Sequence, residues 1–221
     1  MTTVWLHGAG LSGASWAGVA GLTPDLPGHG SEPRAVTPTI ESFADALLPK
    51  IPDRLHLVGH SLGGMVAVEL AARLKGRVLS LVTVEAVPTV HLTRFSTLAA
   101  HIAMGLFRLI GPRGVAALSG IGQPKAVGRH IKPLIAQMDR GGMEDALTAA
   151  FSYDARPRLP DVTAPALVIA GRGNPQTHRG ARLMAKELDA PFELMKGGHI
   201  LHIEQPDALR DRIRKFQEAQ S

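Results

Sequence analysis

Between Leu55 and Leu70 the chain reads LHLVGHSLGGMVAVEL, an apolar run that stops at a glycine and becomes a helical pattern with no linker between them. A strand can meet a helix that abruptly only through a sharp, strained turn. Glycines two residues before and two after the turning residue let the neighbouring backbone pass without a Cβ clash. Here the turning residue is Ser61, in Gly59-His60-Ser61-Leu62-Gly63.

The same alternation runs through most of the chain. TVWLHG, GLTPDL, RLHLVG, RVLSLVTVE, PALVIAG and PFELMKG read as short strands. Between them lie helical patterns, among them TIESFADALLPKI with Ile40, Phe43, Leu47 and Leu48 on one face. Apolar strands separated by helices predict an α/β fold built on a mostly parallel sheet of about six strands. Residues 88–160 differ. They carry helical spacing and no clear strand, with Phe95, Leu98, Ile102, Leu106 and Leu109 recurring at helical intervals. The expectation is an all-helical insertion at 88–160 resting on a core formed by 1–87 and 161–221.

Composition narrows the function classes. The chain has 221 residues and no cysteine, which excludes disulfides, thiolate nucleophiles and Cys-ligated zinc and suits a reducing cytoplasm. MTTVWLHGAG has no basic region followed by a long apolar stretch, so no signal peptide is expected. FSTLAAHIAMGLFRLIG is interrupted by His101 and Arg108 and reads as too short to span a bilayer. The net charge is +5, and the 88–160 segment holds nine basic residues against four acidic ones. A basic surface of this kind suits an acidic partner. Nucleic acid is disfavoured, because the basic residues are scattered and only nine aromatics are available for stacking.

The chemistry centres on the serine. Its turn holds Oγ clear of the sheet at the N-terminus of a helix, whose dipole favours negative charge and whose Leu62 N–H points towards a developing oxyanion. The bland alternative is a structural turn with a capping serine. A hydroxyl needs a base to become a nucleophile. LMKGGHILHIEQP, after the last expected strand, offers His199 directly behind two glycines, and His202, whose position suits packing or capping. Neither has a convincing third partner for a metal, so no metal site is expected. A rival pattern, Gly8-x-Gly10-x-x-Gly13 with Asp25 further on, matches a dinucleotide fingerprint but leaves GHSLGG and the late GGH unexplained.

Taken in order, LHGAG, PDLPGHG, GHSLGG and GGHILHIEQP resemble the α/β-hydrolase superfamily, and the helical insertion falls where that family carries its cap. The resemblance implies an α/β-hydrolase fold, Ser61 as nucleophile and His199 as base. It implies an oxyanion hole from the N–H groups of Ala9 and Leu62, structural roles for His7 and Asp25, and no cofactor. Two departures stand out. Too few residues precede LHG for the family's usual N-terminal strand pair, which predicts a shorter sheet with an exposed first edge that a partner chain would cover. Asn174 also stands where the family's aspartate is expected; an amide cannot stabilise imidazolium. Glu85, at the end of LVTVEAVP, is the candidate acid, with Asn174 as the alternative position.

Acyl transfer on a carboxylic ester or thioester is the activity this pattern implies. The substrate pocket is expected under the insertion, lined by Leu98, Ile102, Met104, Leu106 and Phe107. The strand motifs also bear a partial resemblance to pimeloyl-acyl carrier protein methyl ester esterases, and a basic cap suits an acidic acyl carrier protein. Lactonase or C–C hydrolase activity, or a binding protein that keeps the fold without the chemistry, are the alternatives.

Overall fold

The computed structural model describes residues 1–119 and 125–220. Five strands form one sheet among them: β1 (Thr2–Leu6), β2 (Leu55–His60), β3 (Val78–Val84), β4 (Ala166–Gly171) and β5 (Phe192–Met195). They lie in sequence order and every neighbouring pair is parallel. Side chains alternate across the sheet as the strand period requires. Val4, Leu6, Leu55, Leu57, Leu81 and Val168 face one side, against α1 (Ile40–Leu47), α2 (Leu62–Leu74) and α6 (Pro175–Glu187). Trp5, Val58, Val82, Val84, Leu167 and Ile169 face the other, against Trp16 and the α8 (Pro206–Glu218) residues Leu209, Ile213 and Phe216.

These helices follow from local sequence. In α1, Thr39 caps the N-terminus by accepting from the Ser42 N–H, and Ile40, Phe43, Ala44 and Leu47 form the buried stripe. Leu48 leaves that stripe and begins a short 3-10 turn at Pro49. Helix α2 is buried at all but one of its thirteen positions. It is therefore the central helix of its layer, and a sequence apolar but for Glu69 and Arg73 is the expected signature.

The sheet has five strands where the sequence reading expects about six. GLTPDL contributes only an isolated bridge, Val4 to Leu22, with Leu22 exchanging hydrogen bonds with Thr3 and Trp5 at 2.9 and 2.8 Å. Pro24 and Pro27 close at hand remove two donors that a ladder would need. The outer edge of β1 is thus blunted by this segment of the same chain.

Between β3 and β4 lie α3 (Arg94–Ser119), α4 (Lys125–Gln137) and α5 (Arg140–Ser152). Residues 120–124 of the expected insertion lie outside the described residues. Helix α3 departs from expectation in two ways. First, it is 26 residues long and apolar enough for a membrane crossing by length and composition alone. It is broken at Gly111, which has a non-helical φ of 63° next to Pro112, and it packs on its neighbours through Ala100, Phe107, Gly111, Pro112 and Ala116. Second, the stripe Phe95, Leu98, Ile102, Leu106 and Leu109 points outward, Phe95 and Leu109 being about four-fifths exposed at 81% and 80%. The helix is apolar on both faces, so periodicity could not say which face turns inward. The inner face joins Leu11, Ile131, Ile135 and Met143 in a third apolar cluster, with Met104, Ile200 and Ile203 at its margin. Of the five residues expected to line a pocket, Phe107 and Met104 therefore face inward, and Leu98, Ile102 and Leu106 do not.

Candidate active site

Ser61 connects β2 to α2 with φ 51° and ψ −117°, a left-handed backbone that a non-glycine residue adopts only when its surroundings enforce it. The enforcement is visible. The Ser61 N–H donates to the Val84 carbonyl at 2.9 Å, tying the turn to β3. A Cβ at Gly59 would overlap the Gly63 carbonyl, and one at Gly63 would overlap the Leu6 carbonyl. The spacing of glycines around the serine is thus a packing requirement.

His199 lies in the loop between β5 and the short helix α7 (Leu201–Glu204), just past Gly197, whose φ of 130° demands glycine. Its Nε2 is 3.2 Å from Ser61 Oγ and its Nδ1 is 3.0 Å from Glu85 Oε2. Glu85 directly follows β3, is buried, and also has a positive φ of 56°. Its Oε1 accepts the Gly171 N–H, and its Oε2 accepts from Asn174 Nδ2 at 2.5 Å and Thr177 Oγ1 at 3.1 Å. Burial pushes this carboxyl's pKa upward, but the hydrogen bonds from His199, the Gly171 N–H and Asn174 outweigh it and leave the group below its ordinary value.

Asn174 Nδ2 is also 3.2 Å from His199 Nδ1. Both nitrogens donate to the same Glu85 oxygen, so this contact is between two donors and carries no hydrogen bond. That assignment leaves Nε2 of a neutral His199 without a proton and facing the serine hydroxyl. The structure thus brings Ser61, His199 and Glu85 together in one chain of contacts, and sets Asn174 against the carboxylate. Thr177 was not anticipated. Its position three residues after Asn174, in the first turn of α6, was the available signal, since that spacing returns a side chain to the helix start.

The expected oxyanion donors lie where the turn meets the first loop. Leu62 is the first residue of α2, where N–H groups lack an intrahelical acceptor. A Cβ added to Gly8 would stand 3.3 Å from Ser61 Cβ, so the Gly8-Ala9 backbone passes beside the serine. Two buried histidines hold that loop. His7 Nε2 accepts the Leu26 N–H at 3.0 Å and its Nδ1–H donates to the Gly8 carbonyl at 2.9 Å. His29 Nε2 accepts the Gly10 N–H at 3.3 Å, a role sequence reading did not assign. Burial, aided by His29, drives the His7 pKa down to about 3, so the ring stays neutral and can accept. Asp25 accepts the Gly13 N–H at 2.7 Å, a turn-holding contact.

Gly8, Gly10 and Gly13 do not form a dinucleotide cradle. Gly13 opens a four-residue 3-10 turn, whereas that fingerprint needs a full helix whose N-terminus meets the pyrophosphate. His202 packs in the core rather than facing the serine. It stacks between Trp16 and His60, with ring centroids 4.5 and 4.4 Å away. A cavity of about 460 Å³ opens beyond Gly10 between the first loop and α4. Its lining mixes apolar Leu11, Leu134 and Met138 with polar Ser12, Arg34 and Gln137.

Comparison with known proteins identifies the family and the fold. A family model described as the alpha/beta hydrolase family matches residues 3–212. A pimeloyl-[acyl-carrier protein] methyl ester esterase of Aromatoleum aromaticum is 44% identical over 111 residues, 47% of this chain and 44% of that protein. The chain therefore aligns with less than half the length of that relative. A protein of the same name from Neisseria meningitidis serogroup C is 32% identical over 197 residues, covering 76% of this chain and 75% of that one. Among solved structures, the enol-lactonase from Burkholderia xenovorans superposes with a TM-score of 0.82 at 22% identity, covering 98% of this chain and 91% of that one. At that identity the likeness speaks to the fold alone.

Proposed function

The chain belongs to the alpha/beta hydrolase family, and from that premise we propose that it is a carboxylic-ester hydrolase working through Ser61, His199 and Glu85. The observation that carries the reading is the run of contacts from Ser61 Oγ to His199 Nε2, 3.2 Å, and from His199 Nδ1 to Glu85 Oε2, 3.0 Å.

His199 Nε2 takes the proton from Ser61 as Oγ attacks the ester carbonyl. The N–H groups of Ala9 and Leu62 hold the developing oxyanion, in a site already assembled before the charge appears. Glu85 stabilises the imidazolium, which then protonates the departing alcohol. Water, activated by the same histidine, releases the acid from the acyl-enzyme. Helices α3, α4 and α5 serve as the cap over this site, with Leu11, Phe107, Ile135 and Met143 keeping the space above the loop apolar.

For the substrate we propose a methyl ester carried on an acyl carrier protein. The support is the name shared by the relatives just described and the basic excess of the 88–160 segment, which suits an acidic carrier. The test is a kinetic panel of p-nitrophenyl esters of graded chain length beside a carrier-linked methyl ester, with Ser61→Ala as control. A kcat/KM far higher for the carrier-linked ester and falling with salt supports the proposal. Equal rates on free and carrier-linked esters overturn the carrier assignment, and turnover that survives Ser61→Ala overturns the mechanism.

A further inference from the structure

The residue before the nucleophile makes a contact that the mechanism above does not use. His60 Nε2 lies 2.8 Å from the main-chain carbonyl oxygen of His199. We propose that His60 is a positioning residue: its Nε2–H grips the His199 carbonyl, so that the nucleophile's own turn fixes where the base stands. This rests on the reading of Ser61 and His199 as nucleophile and base.

The base sits in a loop that needs such a hold. Gly197 and Gly198 precede it and supply little stiffness. Besides the contacts of the His199 side chain and the bonds that the Ile200 carbonyl accepts from Ile203 and Glu204, two bonds reach the loop: the Gly173 N–H donates to the Gly197 carbonyl at 2.8 Å, and the Gly198 N–H to Glu204 at 2.8 Å. The first ties it to the end of β4 and the second to α7. Neither reaches β2, where the serine is. The His60 bond does, and it attaches to His199 itself.

The protonation state of His60 is set by its two sides. A carbonyl only accepts, so Nε2 carries the proton. Nδ1 lies against the first loop: a Cβ on Gly8 would stand 2.7 Å from it. One imidazole therefore touches the loop bearing the Ala9 N–H, the turn bearing Ser61 and the main chain of the base. The ring is buried, 4.4 Å from the His202 ring and 5.1 Å from the His199 ring. Burial and these two neighbours hold its pKa well below the ordinary histidine value. His60 thus stays uncharged beside His199, which must itself become cationic during turnover.

The test compares His60→Phe, which keeps a ring without the N–H, with His60→Gln, whose terminal amide nitrogen falls near the place of Nε2. Thermal melts establish folding, and ester turnover and fluorophosphonate labelling of Ser61 give the rates. The expected result is a kcat about a hundredfold lower for His60→Phe, the scale of a small misplacement at a reacting centre. KM should stay within about twofold, because substrate contacts are untouched. His60→Gln should recover most of the rate. Wild-type kcat in His60→Phe, or equal losses in both variants, overturns the proposal.

If His60→Phe does not fold, the wild-type protein decides. In 15N-histidine spectra His60 should be the Nε2–H tautomer with a slowly exchanging proton close to His199; an Nδ1–H tautomer overturns the proposal. That spectrum judges the bond even if Ser61 proves unreactive towards fluorophosphonate, a result that would sink the hydrolase reading instead.

Discussion

Glu85 Oε2 stands 3.0 Å from His199 Nδ1, and Asn174, at the position where the family usually has its acid, donates to that same oxygen at 2.5 Å. The carboxylate and the amide come from the ends of neighbouring strands, β3 and β4. In the proposed mechanism one bears the charge and the other orients it. Glu85→Gln should lower kcat by about four orders of magnitude, the cost of an amide in place of a triad carboxylate. Asn174→Ala should cost about tenfold or less, since it removes one of several bonds to Glu85 and leaves the charge. Steady-state kinetics of the two variants check the assignment; the reverse ranking refutes it.

The same geometry predicts a rescue. Asn174 Nδ2 is 3.2 Å from His199 Nδ1, so a carboxylate in that position can accept the Nδ1–H. Glu85→Gln with Asn174→Asp should regain a substantial part of the rate lost in Glu85→Gln alone. Asn174→Asp in the presence of Glu85 should instead raise the pKa of the pair, because two carboxylates would share one site. The pH profile of kcat/KM for the single and double variants separates these outcomes.

Much of this arrangement was legible in the sequence, for stated reasons. Ser61 was visible because a strand turning directly into a helix leaves few backbone solutions, and each solution needs glycine at fixed offsets. His199 was visible because two glycines free it. Asn174 and Glu85 could be ranked because an amide and a carboxylate differ in charge. His29 was not legible, since its bond to the Gly10 N–H joins segments that only folding brings together, and Thr177 offered no more than its offset from Asn174. The face of α3 was not legible either. Phe107 and Leu98 are equally apolar, and only the packing of α4 and α5 decides that Phe107 turns inward and Leu98 outward.

His202 is buried between Trp16 and His60, and burial, with His199 nearby, drives its pKa down to about 3. Its unfolded value is near 6.5. Between those values the unfolded chain binds a proton that the native state refuses. Stability therefore falls as the pH drops from about 6.5 towards 3, by about 1.4 kcal/mol per pH unit for this group. His202→Phe keeps a ring in the stack and removes the titration. Urea denaturation at pH 5 and at pH 7.5 should show a smaller difference for the variant than for the wild type. An unchanged difference would mean that His202 protonates in the folded protein.

Glu69, fully buried in the middle of α2, accepts from the Tyr153 hydroxyl at 2.8 Å and from Arg73 Nε at 2.6 Å, with Arg158 Nε at 3.4 Å. Tyr153 directly follows α5, so this cluster fastens the end of the helical segment to the core. Burial and the charge of Glu69 push the Tyr153 pKa upward, which keeps its hydroxyl a donor at every working pH. Tyr153→Phe should cost about 1 kcal/mol, the worth of one such bond. Glu69→Leu should cost more, because it leaves the buried hydroxyl unpaired and Arg73 with one carboxylate fewer. Chemical denaturation of both variants measures the order.

Gly8 marks how closely the first loop approaches the serine. A methyl group there would stand 2.7 Å from His60 Nδ1 and 3.3 Å from Ser61 Cβ. His60 cannot yield easily, being buried and bonded to the His199 carbonyl. The loop must therefore move, carrying the Ala9 N–H away from the place where the oxyanion forms. Gly8→Ala should lower kcat by about a hundredfold to a thousandfold, the range for loss of one oxyanion donor. KM should change little, because the donor matters most once charge has developed. A raised KM with kcat intact would put the loop's contribution in substrate binding and remove Ala9 from the oxyanion hole.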